Sequence, residues 1–193
     1  MVVKTKGAID GFDLFMRFAD GCRCYLQANG VISREDNQAI LDYFKTGKKP
    51  EERVLKRVYY VAYPGLLKTK GKLKKRMFDA DVVREFYAFD HNKMKVEQGN
   101  YVCIAFPARV LKKRDKEFFL ELSPVRGRFW ADSDMDLKPG DWIIVHRMNI
   151  VERISGGHAK RVSDYLKKLG MNKEMRFPEK AIEYLRNLKN KYR

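Results

Sequence analysis

The sequence predicts an α+β protein: a helical N-terminal region, a small five-stranded OB-like β-barrel and C-terminal helices. Three observations carry that prediction. Apolar residues recur at helical spacing through the first hundred positions. Near Gly99 the texture changes to short β-branched and aromatic segments separated by turn residues. After Gly156-Gly157 the helical period returns. The corresponding domains are a helical domain over 1–98, a small β-barrel over 99–155, and basic C-terminal helices over 156–193 packed on the barrel.

Each element has a local cause. Leu14, Phe15, Phe18, Cys22, Tyr25 and Leu26 share a helix face that Asn29-Gly30 terminates. Ser33 followed by Asp36 is an imperfect capping box for a helix with Ala39, Ile40, Tyr43 and Phe44 on one side, closed by Gly47. Pro50-Glu51-Glu52 suits a first turn, since proline fits there and acids complement the helix dipole. Val54, Leu55, Val58, Tyr59 and Ala62 continue that helix until Pro64-Gly65 breaks it, and a further helix runs from about Asp79 to Phe89. Strands are expected over Tyr101–Val110, Glu117–Leu122, Val125–Ala131, Trp142–His146 and Ile150–Ile154. Five short strands so close together favour a small barrel. Helices follow through Leu169 and from Pro178, with Ala181, Ile182, Leu185 and Leu188 inward.

Composition narrows the function classes. The 193 residues are 45% hydrophobic, ordinary for a folded chain. No stretch of 18 apolar residues and no apolar leader occurs, so the expected location is the cytoplasm, with no membrane partner. Cys22, Cys24 and Cys103 form no disulfide framework or zinc-knuckle spacing, and read as small reduced thiols. Neither a cofactor nor a metal is expected from composition or spacing. Asp132-Ser-Asp134-Met-Asp136 begins like a calcium loop but has Leu137 where Gly is needed and Ile143 where Glu is needed. No phosphate loop or catalytic triad stands out, so the chain reads as a binding protein rather than an enzyme.

Charge is the informative quantity. With 41 Lys+Arg against 25 Asp+Glu the net charge is +16. Such an excess repels itself and concentrates polyanions. Lys68, Lys70, Lys72, Lys74, Lys75 and Arg76 place six cations in nine residues without an acid, between two helical segments where a loop or helix entry is expected. From Val151 to Arg193 there are 12 basic and 5 acidic residues, with Arg186, Lys189, Lys191 and Arg193 finishing the last helix. Arg126-Gly-Arg128-Phe129-Trp130 interleaves cations and aromatics on a strand. Alternation places Arg126, Arg128 and Trp130 on one face, where an exposed Trp130 offers a stacking platform.

The barrel region, about 102–170, resembles the small hydrogenase-maturation chaperones of the HypC/HupF type. The carrying residues are Cys103-Ile-Ala-Phe-Pro107-Ala-Arg-Val110, Val125-Arg126, and Pro139-Gly-Asp-Trp-Ile-Ile-Val-His146. The resemblance implies a small barrel with a C-terminal helix. It also implies that Cys103, with Pro107 and His146 at neighbouring motif positions, holds iron and contacts a partner protein. This chain departs from the pattern at Ala108, which replaces a glycine, and at Arg147-Met148-Asn149, which replaces a small glycine-containing segment. The helical first hundred residues lie outside the resemblance.

Two expectations follow. The first is a basic RNA-binding accessory protein, with structured RNA or a ribonucleoprotein such as the ribosome as partner. The clustered cations grip phosphates, and Arg126, Arg128 and Trp130 supply barrel contacts. The second is a diverged metallocentre-assembly chaperone in which Cys103 binds metal or a protein partner, with Pro107 and His146 as further partner-binding positions.

Overall fold

In a computed structural model, which describes residues 9–192, the helical periodicity resolves into α1 (Gly11–Ala28), α2 (Arg34–Thr46), α3 (Glu52–Val58), α4 (Ala62–Leu73) and α5 (Ala80–Glu85). Local chemistry sets the ends. The Ser33 hydroxyl accepts a hydrogen bond from the Asp36 amide at 3.1 Å, and Gly47 closes α2 at φ +77°. Pro64 does not break a helix as expected. It sits in the first turn of α4, where its missing N–H is least costly.

Among the described residues, 9–84 and 188–192 form one compact unit. Its centre is aromatic: Phe12, Phe15, Tyr43, Tyr59 and Phe78 meet with ring centroids 4.8–5.3 Å apart. Gly11 begins α1 against the backbone of the Phe78 region, and a Cβ there would lie 2.0 Å from the Phe78 carbonyl oxygen. Arg23 is fully buried and therefore tied down. Its Nε donates to Asp20 and its Nη1 to Asn37, both at 2.8 Å. Arg57 grips the buried Asp36 with two nitrogens.

Glu85–Asn187 form the second unit. It opens with a π-helical turn, Phe86–His91, followed by α6 (Asn92–Glu97) and a short 3₁₀ turn, Tyr101–Cys103. The strands are β1 (Ala105–Arg114), β2 (Glu117–Leu122), β3 (Arg128–Asp132), β4 (Trp142–His146) and β5 (Asn149–Ile154). All neighbours are antiparallel, in the order β3-β2-β1-β4-β5. The sheet is open: no β3–β5 ladder is present among the described residues. Two expected strands start late. The chain at Tyr101–Cys103 winds into a 3₁₀ turn, and the cis Ser123–Pro124 bond occupies the approach to β3.

One sheet face is apolar. Ile104, Phe106, Ala108, Val110, Phe118, Leu120, Phe129, Ile143 and Val145 pack with Val162 and Leu166 of α7 (Gly156–Lys168). Ser155 caps α7 by accepting the His158 amide at 3.1 Å. The other face follows from alternation, with every second residue of β2 and β3 solvent-facing or half-buried. The chain ends in α8 (Glu179–Tyr192). No helix among the described residues is long and apolar enough to cross a membrane.

Candidate functional site

The sheet unit carries two clusters, one buried and one exposed. The buried cluster centres on Cys103. Its position follows from a clamp between α6 and β1: the Ala105 amide donates to Asn92 Oδ1 at 2.8 Å, and Asn92 Nδ2 donates to the Ala105 carbonyl at 2.9 Å. Asn92 follows the π-helical turn, so the clamp brings that turn's last residue, His91, beside Cys103. β4 pairs with β1 so that His146 lies opposite Ala105, which delivers a second imidazole. Cys103 Sγ is 3.5 Å from His146 Nε2 and 3.8 Å from His91 Nε2.

A third group completes the cluster. The β4–β5 hairpin turns through Arg147 and Met148, at φ +46° and +64°. Asn and Gly dominate turns with two left-handed central residues; here a long cation stands instead. Arg147 is buried, and its Nε donates to Cys103 Sγ at 3.3 Å. The Tyr87 ring lies against both imidazoles, with centroids 5.0 Å from His91 and 5.6 Å from His146.

Burial shapes the chemistry. Cys103, His91 and His146 are 2%, 3% and 0% exposed. Burial holds the His91 pKa below the usual histidine value, with proximity to Cys103 opposing that shift. His146 Nε2 also lies 3.1 Å from the Cys103 carbonyl oxygen. His91 Nδ1 is buried with no hydrogen-bond partner among the described residues. A buried polar atom of that kind costs about 1–3 kcal/mol.

Taken pair by pair, the sulfur–nitrogen spacings suit a borderline divalent ion. An ion held about 2.3 Å from sulfur and about 2.05 Å from nitrogen, at the tetrahedral angle, requires sulfur and nitrogen about 3.6 Å apart. The two observed separations, 3.5 and 3.8 Å, lie on either side of that value.

The exposed cluster is a groove of about 690 Å³ across the polar sheet face. Register builds its floor. Arg128 of β3 pairs with Glu121 of β2, Glu121 with Arg109 of β1, and Arg109 with Trp142 of β4, forming one cross-strand row. Arg128 donates to Glu121 at 2.8 Å, and the Arg109 guanidinium lies 6.0 Å from the Trp142 ring centre. One wall comes from the segment after α7. The Arg126 amide donates to the Met175 carbonyl at 2.9 Å and the Phe177 amide to the Arg126 carbonyl at 2.8 Å, a parallel bridge that sets Arg126 beside Arg176. Lys173 also lines the groove.

The sequence candidates separate into several places. Cys103 and His146 meet, while Pro107 is buried in β1 opposite Ile144. Arg126 and Arg128 line the groove. Trp130 occupies another row, half-buried, tilted on Phe119 at 5.2 Å and covered by Arg114 at 5.1 Å. Lys68, Lys70 and Lys72 belong to α4 rather than to a loop, Lys74 caps it, and Lys75 pairs with Asp79 and Asp81. Lys68, Lys70, Lys74 and Arg76 are exposed. Arg186 and Lys191 are exposed on α8; the side chain of Lys189 and all of Arg193 lie outside the described residues.

Sequence reading missed His91, Arg147, Arg109, Trp142, Lys173 and Arg176. The one available hint was scarcity: the chain has only three histidines. None of Cys22, Cys24 and Cys103 forms a disulfide. Comparison with protein-family models, curated proteins and solved structures yields no match for this chain.

Proposed function

We propose that the sheet unit handles a transition-metal ion for metallocentre assembly, with Cys103 and His146 as ligands and His91 beside the sulfur. The carrying observation is a buried thiol sulfur and an imidazole nitrogen at metal-ligand spacing, 3.5 Å apart, with a second imidazole nitrogen 3.8 Å from the same sulfur. Cys103 and His146 are positions that the HypC/HupF resemblance nominates. The open sheet with a helix against its apolar face is compatible with the small-barrel scaffold that the resemblance implies.

Two protein donors leave coordination positions open, as in sites that exchange a ligand rather than in closed structural sites. Thiolate with imidazole suits iron(II), zinc or copper better than magnesium or calcium. Iron(II) is the cargo implied by the resemblance. Arg147 opposes the metal, because its guanidinium already supplies positive charge to the sulfur. Its strained turn is a natural place for the site to open. Non-glycine residues in the left-handed region cost about 1–2 kcal/mol each, and two stand here in succession.

The test is anaerobic titration of the full chain with cobalt(II) and iron(II). A thiolate-to-metal absorption band is expected in the wild type and absent in Cys103→Ser. His146→Asn should weaken binding by about tenfold or more. A wild type without the band, or a Cys103→Ser variant that keeps it, overturns the proposal.

A further inference from the structure

Positive charge on a protein surface is often neutralised locally, and several cations of the sheet unit obey that rule. Arg114 pairs with Glu117, Lys116 with Asp134, Arg161 with Glu85, and Lys160 and Lys167 with Asp164. The groove does not follow it. Of its five cations only Arg128 has a carboxylate partner, Glu121. Arg109, Arg126, Lys173 and Arg176 are exposed and lack one among the described residues.

The bridge between Arg126 and Arg176 sharpens the point. Backbone hydrogen bonds fix these residues side by side, and like charges placed opposite each other destabilise a pairing. Both residues line the groove, and neither has a carboxylate partner among the described residues. An anion received by both would turn that repulsion into a bidentate grip, for which guanidinium geometry suits phosphate oxygens.

Trp142 identifies the kind of anion. It ends the cross-strand row, half-buried, with its indole edge against Gly156. An aromatic beside unpaired arginines matches a ligand with both a π-face and phosphates. Bases of a single strand are free to stack on an aromatic ring, whereas bases in a duplex are already stacked on one another. The row from Arg128 to Trp142 crosses three strand-to-strand steps, about 14 Å, or about four stacked nucleotides at 3.4 Å each.

We infer that this groove binds a single-stranded polynucleotide, with Trp142 stacking a base and Arg109, Arg126, Lys173 and Arg176 holding phosphates. The site is separate from the Cys103 cluster and does not depend on the metal reading. The same chemistry is offered by RNA and by single-stranded DNA.

The experiment uses the full chain and fluorescein-labelled twelve-nucleotide oligomers: single-stranded RNA, single-stranded DNA of the same sequence, and the RNA duplex. Anisotropy at about 50 mM salt should show single strands bound more tightly than the duplex. The four unpaired cations give an expected slope of roughly −3 in log affinity per decade of salt on a single strand. Arg126→Gln with Arg176→Gln should weaken binding at least about tenfold and reduce that slope by about 1.4. Lys93→Gln with Lys116→Gln removes two cations already paired with Glu97 and Asp134, and should change affinity less than about twofold. In a Trp130→Phe background the remaining tryptophan fluorescence should be quenched by single strands. The tighter of the RNA and DNA arms names the natural source. Duplex binding as tight as single-strand binding, an Arg126/Arg176 variant of wild-type affinity, or unquenched Trp142 overturns the inference.

Discussion

Arg147→Asn is the most discriminating change to the buried cluster. Arg147 Nε donates to Cys103 Sγ at 3.3 Å. At that separation and an effective dielectric of about 20, a guanidinium and a thiolate attract by about 5 kcal/mol before solvation. Arg147 is only 9% exposed, so desolvating it offsets much of this. The net value falls to about 1.5–3 kcal/mol, the range of hydrogen bonds to charged groups. A metal cation must take over that interaction. Removing the arginine should therefore tighten metal binding by about tenfold to a hundredfold. Asparagine suits the position because it tolerates the left-handed conformation at φ +46° and is favoured in such hairpin turns. The melting temperature should then stay level or rise slightly. The assay is competitive cobalt(II) titration of wild type and variant in the same chelator buffer, with thermal denaturation of both in the metal-free state. A role for Arg147 in supporting the site makes the opposite prediction, so unchanged or weaker metal binding in a stably folded Arg147→Asn protein refutes the reasoning.

The remaining predictions concern the helical unit and its charges. Gly11→Ala should destabilise by about 2 kcal/mol or more in chemical denaturation, because the new Cβ meets the Phe78 carbonyl oxygen at 2.0 Å and backbone must move; an unaffected midpoint would contradict this packing. Burial first, and then the hydrogen bond to Glu52, raise the Tyr63 pKa to about 12. A raised folded-state value means that Tyr63 contributes stability in full below about pH 10, the unfolded tyrosine value, and loses it as pH rises towards 12. Stability curves of wild type and Tyr63→Phe should accordingly converge over that window, and parallel curves would rule the contribution out. Lys68→Glu with Lys70→Glu removes two exposed cations of α4. If the basic run contacts phosphates, anisotropy on single-stranded RNA should show a salt slope lower by at least about 1.4.

The contrast between legible and illegible features is sharp at particular residues. Ser33, Gly47 and Asn29-Gly30 mark helix ends in the sequence and mark them in the structure, because capping is settled within one turn of chain. β2 and β4 stand where alternation and the Pro139-Gly140-Asp141 turn predict them. Cys103 and His146 were candidates before any contact between them was visible, through the HypC/HupF resemblance alone. His91 was not, since it lies in a helical run with no spacing that refers to Cys103 or His146. Trp130 drew attention because two arginines precede it in sequence, yet Trp142 shares the row with Arg109, Glu121 and Arg128.

By itself, then, the sequence determined what is local: helices with their caps, the turn-bounded strands, the apolar alternation and the uneven charge. Tertiary structure alone decided which distant groups converge. Cys103 meets a histidine 12 residues before it and another 43 residues after it only because Asn92 clamps α6 to β1 and β4 pairs with β1 in one register. The groove likewise exists because Arg126 bridges to Arg176 and four strands align a single row. A slip of one residue in that pairing would turn the row to the opposite face of the sheet. Local propensities choose the elements, but hydrogen-bond register and long-range packing choose their partners, and chemistry resides in the partners.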